Sequence, residues 1–134
     1  MRSHIEFRSE ALLHADASNG EPHGESLAKL LADRLPEHGY EVIAVAPEDW
    51  GWRVELKNET FPLWIGCGHY EEYPDGHMCF IEPSKPYVRR WLKRIPTGEV
   101  VEVLATALER VLRSTAQVSD VRWWTQSETN LGKG

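Results

Sequence analysis

The chain has 134 residues, of which 41% are hydrophobic and 27% charged, as expected for one folded domain with a core of its own. No apolar run is long enough to cross a membrane, and the N-terminus lacks the apolar core of a signal peptide, so we expect a cytoplasmic protein. The net charge of −6 is uneven: residues 1–86 carry 7 basic and 16 acidic side chains, whereas residues 87–134 carry 8 and 5. An acidic body makes general nucleic-acid binding unlikely, since such binding depends on cations that neutralise phosphate, and it favours a basic protein partner.

The first half of the chain predicts one strand, a loop, a helix and two further strands. Residues 4–8 alternate between polar and apolar side chains, as a half-buried strand does. Residues 14–25 are small, polar and interrupted by Gly and Pro, which predicts a mobile loop over residues 9–25. Residues 26–35 place four leucines on one helical stripe, and residues 40–46 and 52–57 are rich in strand-forming side chains.

The second half predicts two more strands, a helix and a closing strand. The strands cover residues 61–69 and 77–82, and residues 83–96, with Pro near both ends, predict a loop with room for one helical turn. A helix capped by Thr97 follows, with its apolar side chains on one face, and residues 121–124 form the last strand. Residues 125–134 predict a frayed tail.

The predicted order is β-α-β-β-β-β-α-β in a single domain spanning residues 1–134. Strands joined by short links pair antiparallel, so the four middle strands form a meander, and two helices with single apolar stripes cover one face of the sheet. The fold class is therefore α+β. Trp64, Phe80 and Trp124 would make the other face apolar, which suggests an interface and includes the possibility of a homodimer.

Residues 64–80, WIGCGHYEEYPDGHMCF, read almost as their own mirror image. If the turn is centred on Tyr73, Cys67 lies opposite Cys79 and His69 opposite His77, all on one face of a hairpin. These are the ligand types of a Cys₂His₂ zinc site, and a Cys–His pair is also the core of a cysteine-dependent enzyme. The spacing is not that of zinc fingers, however, so the favoured interpretation is a structural hairpin with two buried, reduced cysteines and no metal or other cofactor.

Two turns combine carboxylates with large aromatic side chains, the composition of a protein-binding surface. Aromatic side chains anchor partners, and carboxylates speed the association of a basic partner. The predicted partner-binding residues are Glu48, Asp49 and Trp50 in one turn and Glu71, Glu72, Tyr73 and Asp75 in the other.

Residues 87–94, YVRRWLKR, interleave aromatic and basic side chains. This pattern is typical of contact with nucleic acid or another anionic ligand, because the aromatic rings stack and the cations meet phosphates. The alternative anion-binding residues are Arg89, Arg90, Lys93 and Arg94.

The chain contains no complete catalytic constellation, which favours a binding protein over an enzyme. Small, acidic and aromatic-rich proteins have the physical character of immunity or antitoxin-type inhibitors, which mask a basic partner. The hypothesis from sequence is therefore such a protein-binding domain. The alternatives are a small Cys/His zinc protein or cysteine-dependent enzyme, and a binder of anionic ligands through residues 87–94.

Overall fold

The computed structural model describes residues 1–18 and 20–132. Its strands are β1 His4–Arg8, β2 Val42–Glu48, β3 Gly51–Leu56, β4 Leu63–His69, β5 Gly76–Glu82, β6 Tyr87–Arg90, β7 Lys93–Pro96 and β8 Ser119–Trp123. Its helices are α1 Glu10–Ala17, α2 Glu25–Arg34, α3 Gly98–Arg113 and α4 Gln126–Gly132, and a short 3₁₀ helix at Leu35–His38 extends α2.

Six strands form one antiparallel sheet in the order β2-β3-β4-β5-β1-β8. The meander from β2 to β5 and the α+β class are confirmed. The predicted order of elements is also confirmed, and the strand order, which the sequence pattern left open, places β1 between β5 and β8. Strands β6 and β7 pair separately as a two-stranded hairpin.

Helices α2 and α3 lie on one face of the sheet, here called the covered face. The inward side chains of the strands there include Val54, Ile65 and Ile81, which are fully buried. The leucine stripe of α2 and the apolar stripe of α3 complete one core cluster with them. Leu31, Val101, Leu104 and Leu108 are fully buried in this core, and Leu30 packs against it, as the helical spacing predicted.

The mirrored hairpin has the predicted register. Cys67 lies opposite Cys79 and His69 opposite His77 in the pairing of β4 with β5. Both cysteines are fully buried and free, as expected for small apolar side chains in a core.

The three segments predicted to be irregular contain four further elements: α1, β6, β7 and α4. Helix α1 lies inside the predicted loop 9–25, and Ser9 Oγ caps it by accepting a 3.2 Å hydrogen bond from Leu12 N. Its short length hides it, because eight residues carry too little apolar periodicity to stand out. Of that predicted loop, residue 19 lies outside the described residues.

For the basic segment 83–96, the prediction of a loop with one helical turn is wrong. The segment contains the antiparallel hairpin of β6 and β7. Its two-residue turn is Trp91–Leu92, and Trp91 has φ +60°. Turns of this kind are recognised by Gly, Asn or Asp, and a Trp-Leu turn carries none of them.

The predicted frayed tail contains α4. Thr125 Oγ1 accepts a hydrogen bond from Glu128 N at 3.2 Å, and a Glu128 carboxylate oxygen accepts one from Thr125 N at 2.9 Å. This reciprocal pair is a capping box, which starts a helix even where no apolar stripe supports it. Residues 133–134 of the predicted tail lie outside the described residues.

Within residues 1–18 and 20–132, no helix has both the length and the apolar character needed to cross a bilayer.

Candidate functional site

The sheet face opposite α2 and α3 carries a cluster of three large aromatic rings. Trp50 lies 5.1 Å from Phe80 and 5.9 Å from Trp64 between ring centroids, and Trp64 lies 5.6 Å from Phe80. The ring of Phe80 lies over Gly66, where a Cβ atom would come within 2.2 Å of the ring. Gly66 therefore has a packing role, because its missing side chain makes room for an aromatic ring on the sheet face opposite α2 and α3.

The ring contacts continue across the sheet without a break. His4 stacks between Phe80 and Trp124, at centroid distances of 5.8 and 5.4 Å. Tyr70 then contacts Trp124 at 5.8 Å and Tyr73 at 6.1 Å. We call this connected set the aromatic face; its members are His4, Trp50, Trp64, Tyr70, Tyr73, Phe80 and Trp124.

A buried carboxylate is hydrogen-bonded to one member of the aromatic face. Glu6 is 6% exposed, and its Oε1 accepts hydrogen bonds from Trp124 Nε1 at 3.0 Å and from Arg122 at 2.6 Å. Burial raises the pKa of the Tyr70 hydroxyl, and the charges of Glu6 and Glu72 raise it further. Arg53 lies 4.5 Å above the ring of Trp64 and is ion-paired with Glu55.

The two predicted turns lie at the same end of the sheet. Strand β3 leaves the β2–β3 turn and β4 returns to that end, so the β4–β5 turn comes beside it; Trp52 pairs with Cys67 there. Trp50 is 46% exposed and Tyr73 41%, and each is also a member of the aromatic face. The aromatic face therefore runs into both acidic turns.

The carboxylates of these turns differ in availability. Asp49, Glu71 and Glu72 are exposed and Glu48 is half-buried, and within the described residues none of the four takes part in an ion pair. Asp75 does not share this availability. It accepts a 2.8 Å charged hydrogen bond from Arg8, and its side chain is only 15% exposed.

The pairing of Asp75 follows from the sheet. Strand β1 pairs with β5 so that Arg8 lies opposite Gly76, and this brings a cation from the N-terminus to the β4–β5 turn. Arg8 also lies 4.7 Å above the ring of Tyr73. The charge of Asp75 is thus paired with that of Arg8 within the molecule, and this ion pair orders the turn.

The alternative anion-binding residues lie at the other end of the molecule. Arg89, Arg90, Lys93 and Arg94 are exposed on the β6–β7 hairpin, which approaches the β3–β4 connection. Trp91 and Leu92 at its tip are 93% and 97% exposed. Arg94 lies 4.4 Å above the ring of Tyr87. The other three cations and the two tip residues are exposed to solvent.

Cys67 is poorly suited to nucleophilic chemistry. Burial raises the pKa of the Cys67 thiol well above its ordinary value, and the hydrogen bond and charge interaction with Cys79 raise it further. A raised pKa disfavours the thiolate that catalysis needs. His77 is also fully buried, and its Nε2 lies 3.0 Å from the carbonyl oxygen of Ser9.

His69 belongs to a group of possible metal ligands that the sequence analysis missed. One of its ring nitrogens, a carboxylate oxygen of Asp16 and a ring nitrogen of His23 all lie within 4.8 Å of one another. Asp16 lies in the last turn of α1, His23 precedes α2 and His69 ends β4, so this group joins three parts of the chain. The predicted zinc set of Cys67, His69, His77 and Cys79 shares only His69 with it.

Three comparisons with known proteins bear on identity. We compared the chain with models of protein families, with curated protein sequences and with solved structures, and none of the three comparisons gave a match.

Proposed function

We propose that the chain is a protein-binding domain that masks a basic partner, in the manner of an immunity or antitoxin-type inhibitor. The observation that carries the proposal is the continuity of the aromatic face with the two acidic turns. Trp50 and Tyr73 belong to both, and the free carboxylates Asp49, Glu71 and Glu72 stand beside them.

The aromatic face supplies the area that binding needs. Large aromatic side chains dominate interface energetics, because they bury much surface while losing few rotatable bonds. In this sheet their rings also hold one another in place through successive contacts of 5.1–6.1 Å. A preorganised surface of this kind pays little ordering cost on binding.

The acidic turns determine which sign of charge the partner should carry. Unpaired carboxylates at one end of the sheet attract a cationic surface during the encounter, and they favour a basic partner over an acidic one. Their effect on the association rate depends on ionic strength, since the Debye length falls to about 10 Å at 0.1 M salt.

Association kinetics test the proposal. Partners are captured on the tagged chain from the cells that produce it, identified by mass spectrometry and purified. Association rates are then measured at low and high salt for the wild type and for the Glu71→Lys/Glu72→Lys double variant. We expect the double variant to associate about tenfold more slowly at low salt, with the difference shrinking at high salt.

The matched control reverses charge at the opposite end of the molecule. Arg89→Glu/Arg90→Glu changes two exposed charges on the β6–β7 hairpin and is expected to leave association with the basic partner as fast or faster. An unchanged rate for Glu71→Lys/Glu72→Lys at both salt concentrations would remove the β4–β5 turn from the interface.

The basic hairpin supports a second candidate function, binding of an anionic ligand. A tryptophan that is 93% exposed between four cations is a suitable surface for stacking and phosphate contact. Loss of ligand binding in Arg89→Glu/Arg90→Glu but not in Glu71→Lys/Glu72→Lys would favour this function over the first.

Homodimer formation through the aromatic face is the remaining prediction from the sequence. Sedimentation of the wild type over a range of protein concentrations tests it directly. A dimer that dissociates on Trp64→Ala substitution would mean that a second copy of the chain occupies this face.

A further inference from the structure

We propose that Asp16, His23 and His69 form a Zn²⁺-binding site between α1, the segment that precedes α2, and the end of β4. Two imidazoles and a carboxylate are ordinary zinc ligands, and the three ligand atoms already lie within 4.8 Å of one another. Three protein ligands leave a fourth position of a tetrahedral ion for water or for a group of a partner.

Asp16 is the fixed member of the site. It is 1% exposed, and its two carboxylate oxygens accept hydrogen bonds from Gly24 N at 3.1 Å and Ser26 N at 3.0 Å. These bonds also cap the N-terminus of α2, which lacks a capping side chain of its own. The backbone donors hold the carboxylate in one orientation, with Oδ2 3.5 Å from His69 Nε2.

Each of the two imidazoles has one ring nitrogen without a hydrogen-bond partner among the described residues. His23 Nδ1 and His69 Nε2 are buried, and neither has a hydrogen-bond partner among the described residues. A buried polar atom without a partner is costly, and a metal ion placed between these nitrogens would relieve that cost for both.

A second carboxylate sets the tautomer of His23. Glu21 Oε1 lies 2.7 Å from His23 Nε2, so in the neutral ring that nitrogen donates to the carboxylate and Nδ1 keeps its lone pair. A carboxylate on the remote nitrogen of a ligating histidine is the usual supporting arrangement in metal sites. Glu21 is thus a positioning residue, and it needs no contact with the ion.

Coordination requires one imidazole to turn. The rings of His23 and His69 are stacked at 4.3 Å with an angle of 11° between their planes, and an ion cannot lie in two parallel planes at once. His23 is the ring with room to move, because it lies outside the helices and strands and its side chain is 30% exposed.

Zn²⁺ titration of the chelator-treated, reduced full chain tests the site, with bound metal counted by native mass spectrometry and the affinity measured by calorimetry. We expect one ion per chain and a melting temperature that rises with Zn²⁺ concentration, because the ion binds the folded state. His23→Ala should weaken binding at least tenfold, and Glu21→Gln by about tenfold to a hundredfold.

His14→Ala is the matched control, since it removes an exposed histidine from the same helix as Asp16 and should leave the affinity unchanged. His23 contributes little to the core, so its variant remains informative even if His69→Ala fails to fold. Absence of stoichiometric Zn²⁺ binding by the wild type, or equal weakening in His14→Ala and His23→Ala, would overturn the proposal.

Substitution of Co²⁺ for Zn²⁺ identifies the ligand atoms independently. The proposed set of nitrogen and oxygen ligands predicts visible cobalt absorption without a sulfur-to-metal charge-transfer band in the near ultraviolet. Such a band would mean that Cys67 or Cys79 holds the ion, and the assignment to Asp16, His23 and His69 would then be wrong.

Discussion

Both faces of the six-stranded sheet carry large side chains, but the two faces are covered differently. On the covered face, Val54, Ile65 and Ile81 lie in a row across three strands and are fully buried under α2 and α3. On the aromatic face, Trp64 and Phe80 lie in the same strands and remain half-exposed, in contact mainly with other rings. The comparison teaches that the buried apolar core of this fold lies on one face, whereas the large side chains of the other face stay partly open to solvent.

The largest expected effect is the loss of a core side chain on the covered face. Leu104 of α3 is fully buried, so Leu104→Ala removes buried apolar atoms and leaves a cavity that the packed core cannot close. We expect the free energy of unfolding to fall by about 2–5 kcal/mol, measured by chemical denaturation.

Val103 is the matched position one residue away, because it is 59% exposed on the same helix. Val103→Ala should change the free energy of unfolding by less than about 0.5 kcal/mol. If Leu104→Ala cost as little as Val103→Ala, α3 would be packed against the sheet by a different stripe.

A smaller effect is expected where polar groups support the aromatic face. Arg122 donates hydrogen bonds to Glu6, which is nearly buried, and to Glu128 at the start of α4. Among the described residues, Arg122→Ala leaves the Glu6 carboxylate with Trp124 as its remaining side-chain donor. We expect a loss of about 1.5 kcal/mol, the low end for hydrogen bonds to charged groups, because the Arg122 side chain is 48% exposed.

The same contact predicts a pH dependence. The hydrogen bond from Arg122, with help from Thr125, lowers the pKa of Glu128 from 4.5 to about 2 in the folded protein. A lowered pKa contributes stability that is present above pH 4.5 and is lost as the pH falls toward 2. The part of the acid destabilisation due to this contact should be missing in Arg122→Ala, and identical acid profiles for the two proteins would contradict it.

Much of the covered face could be predicted from the sequence, because its contacts follow local periods. The leucine spacing of α2 and α3 and the alternation in β3 and β4 define which side chains point inward. The opposition of Cys67 and Cys79 followed from the mirrored spacing, since a hairpin is a local structure whose register depends on its turn.

The candidate sites depend on contacts that no local period encodes. His69 meets Asp16 and His23 because two connections place them at one end of the sheet, although they lie 53 and 46 residues away in the chain. Arg8 reaches Asp75 only because β1 inserts beside β5. The capping box of α4 was readable at Thr125 and Glu128, by contrast, and was missed for lack of an apolar stripe.

The smallest expected effect on stability is at Trp50, where the comparison between the two faces is sharpest. Its ring is 46% exposed and its main packing partners are Trp64 and Phe80, so Trp50→Ala should lower the free energy of unfolding by about 0.5–1.5 kcal/mol. If the aromatic face is the binding surface, the same substitution should weaken partner binding by about 2 kcal/mol or more, as truncation of a central aromatic anchor does.

The measurement pairs chemical denaturation with calorimetric binding to the purified partner, and Leu131→Ala, at an 81% exposed position in α4, serves as the control. A Trp50→Ala protein that lost stability like Leu104→Ala yet bound its partner normally would assign Trp50 to the core, and the distinction between a stabilising face and a recognising face would not hold there.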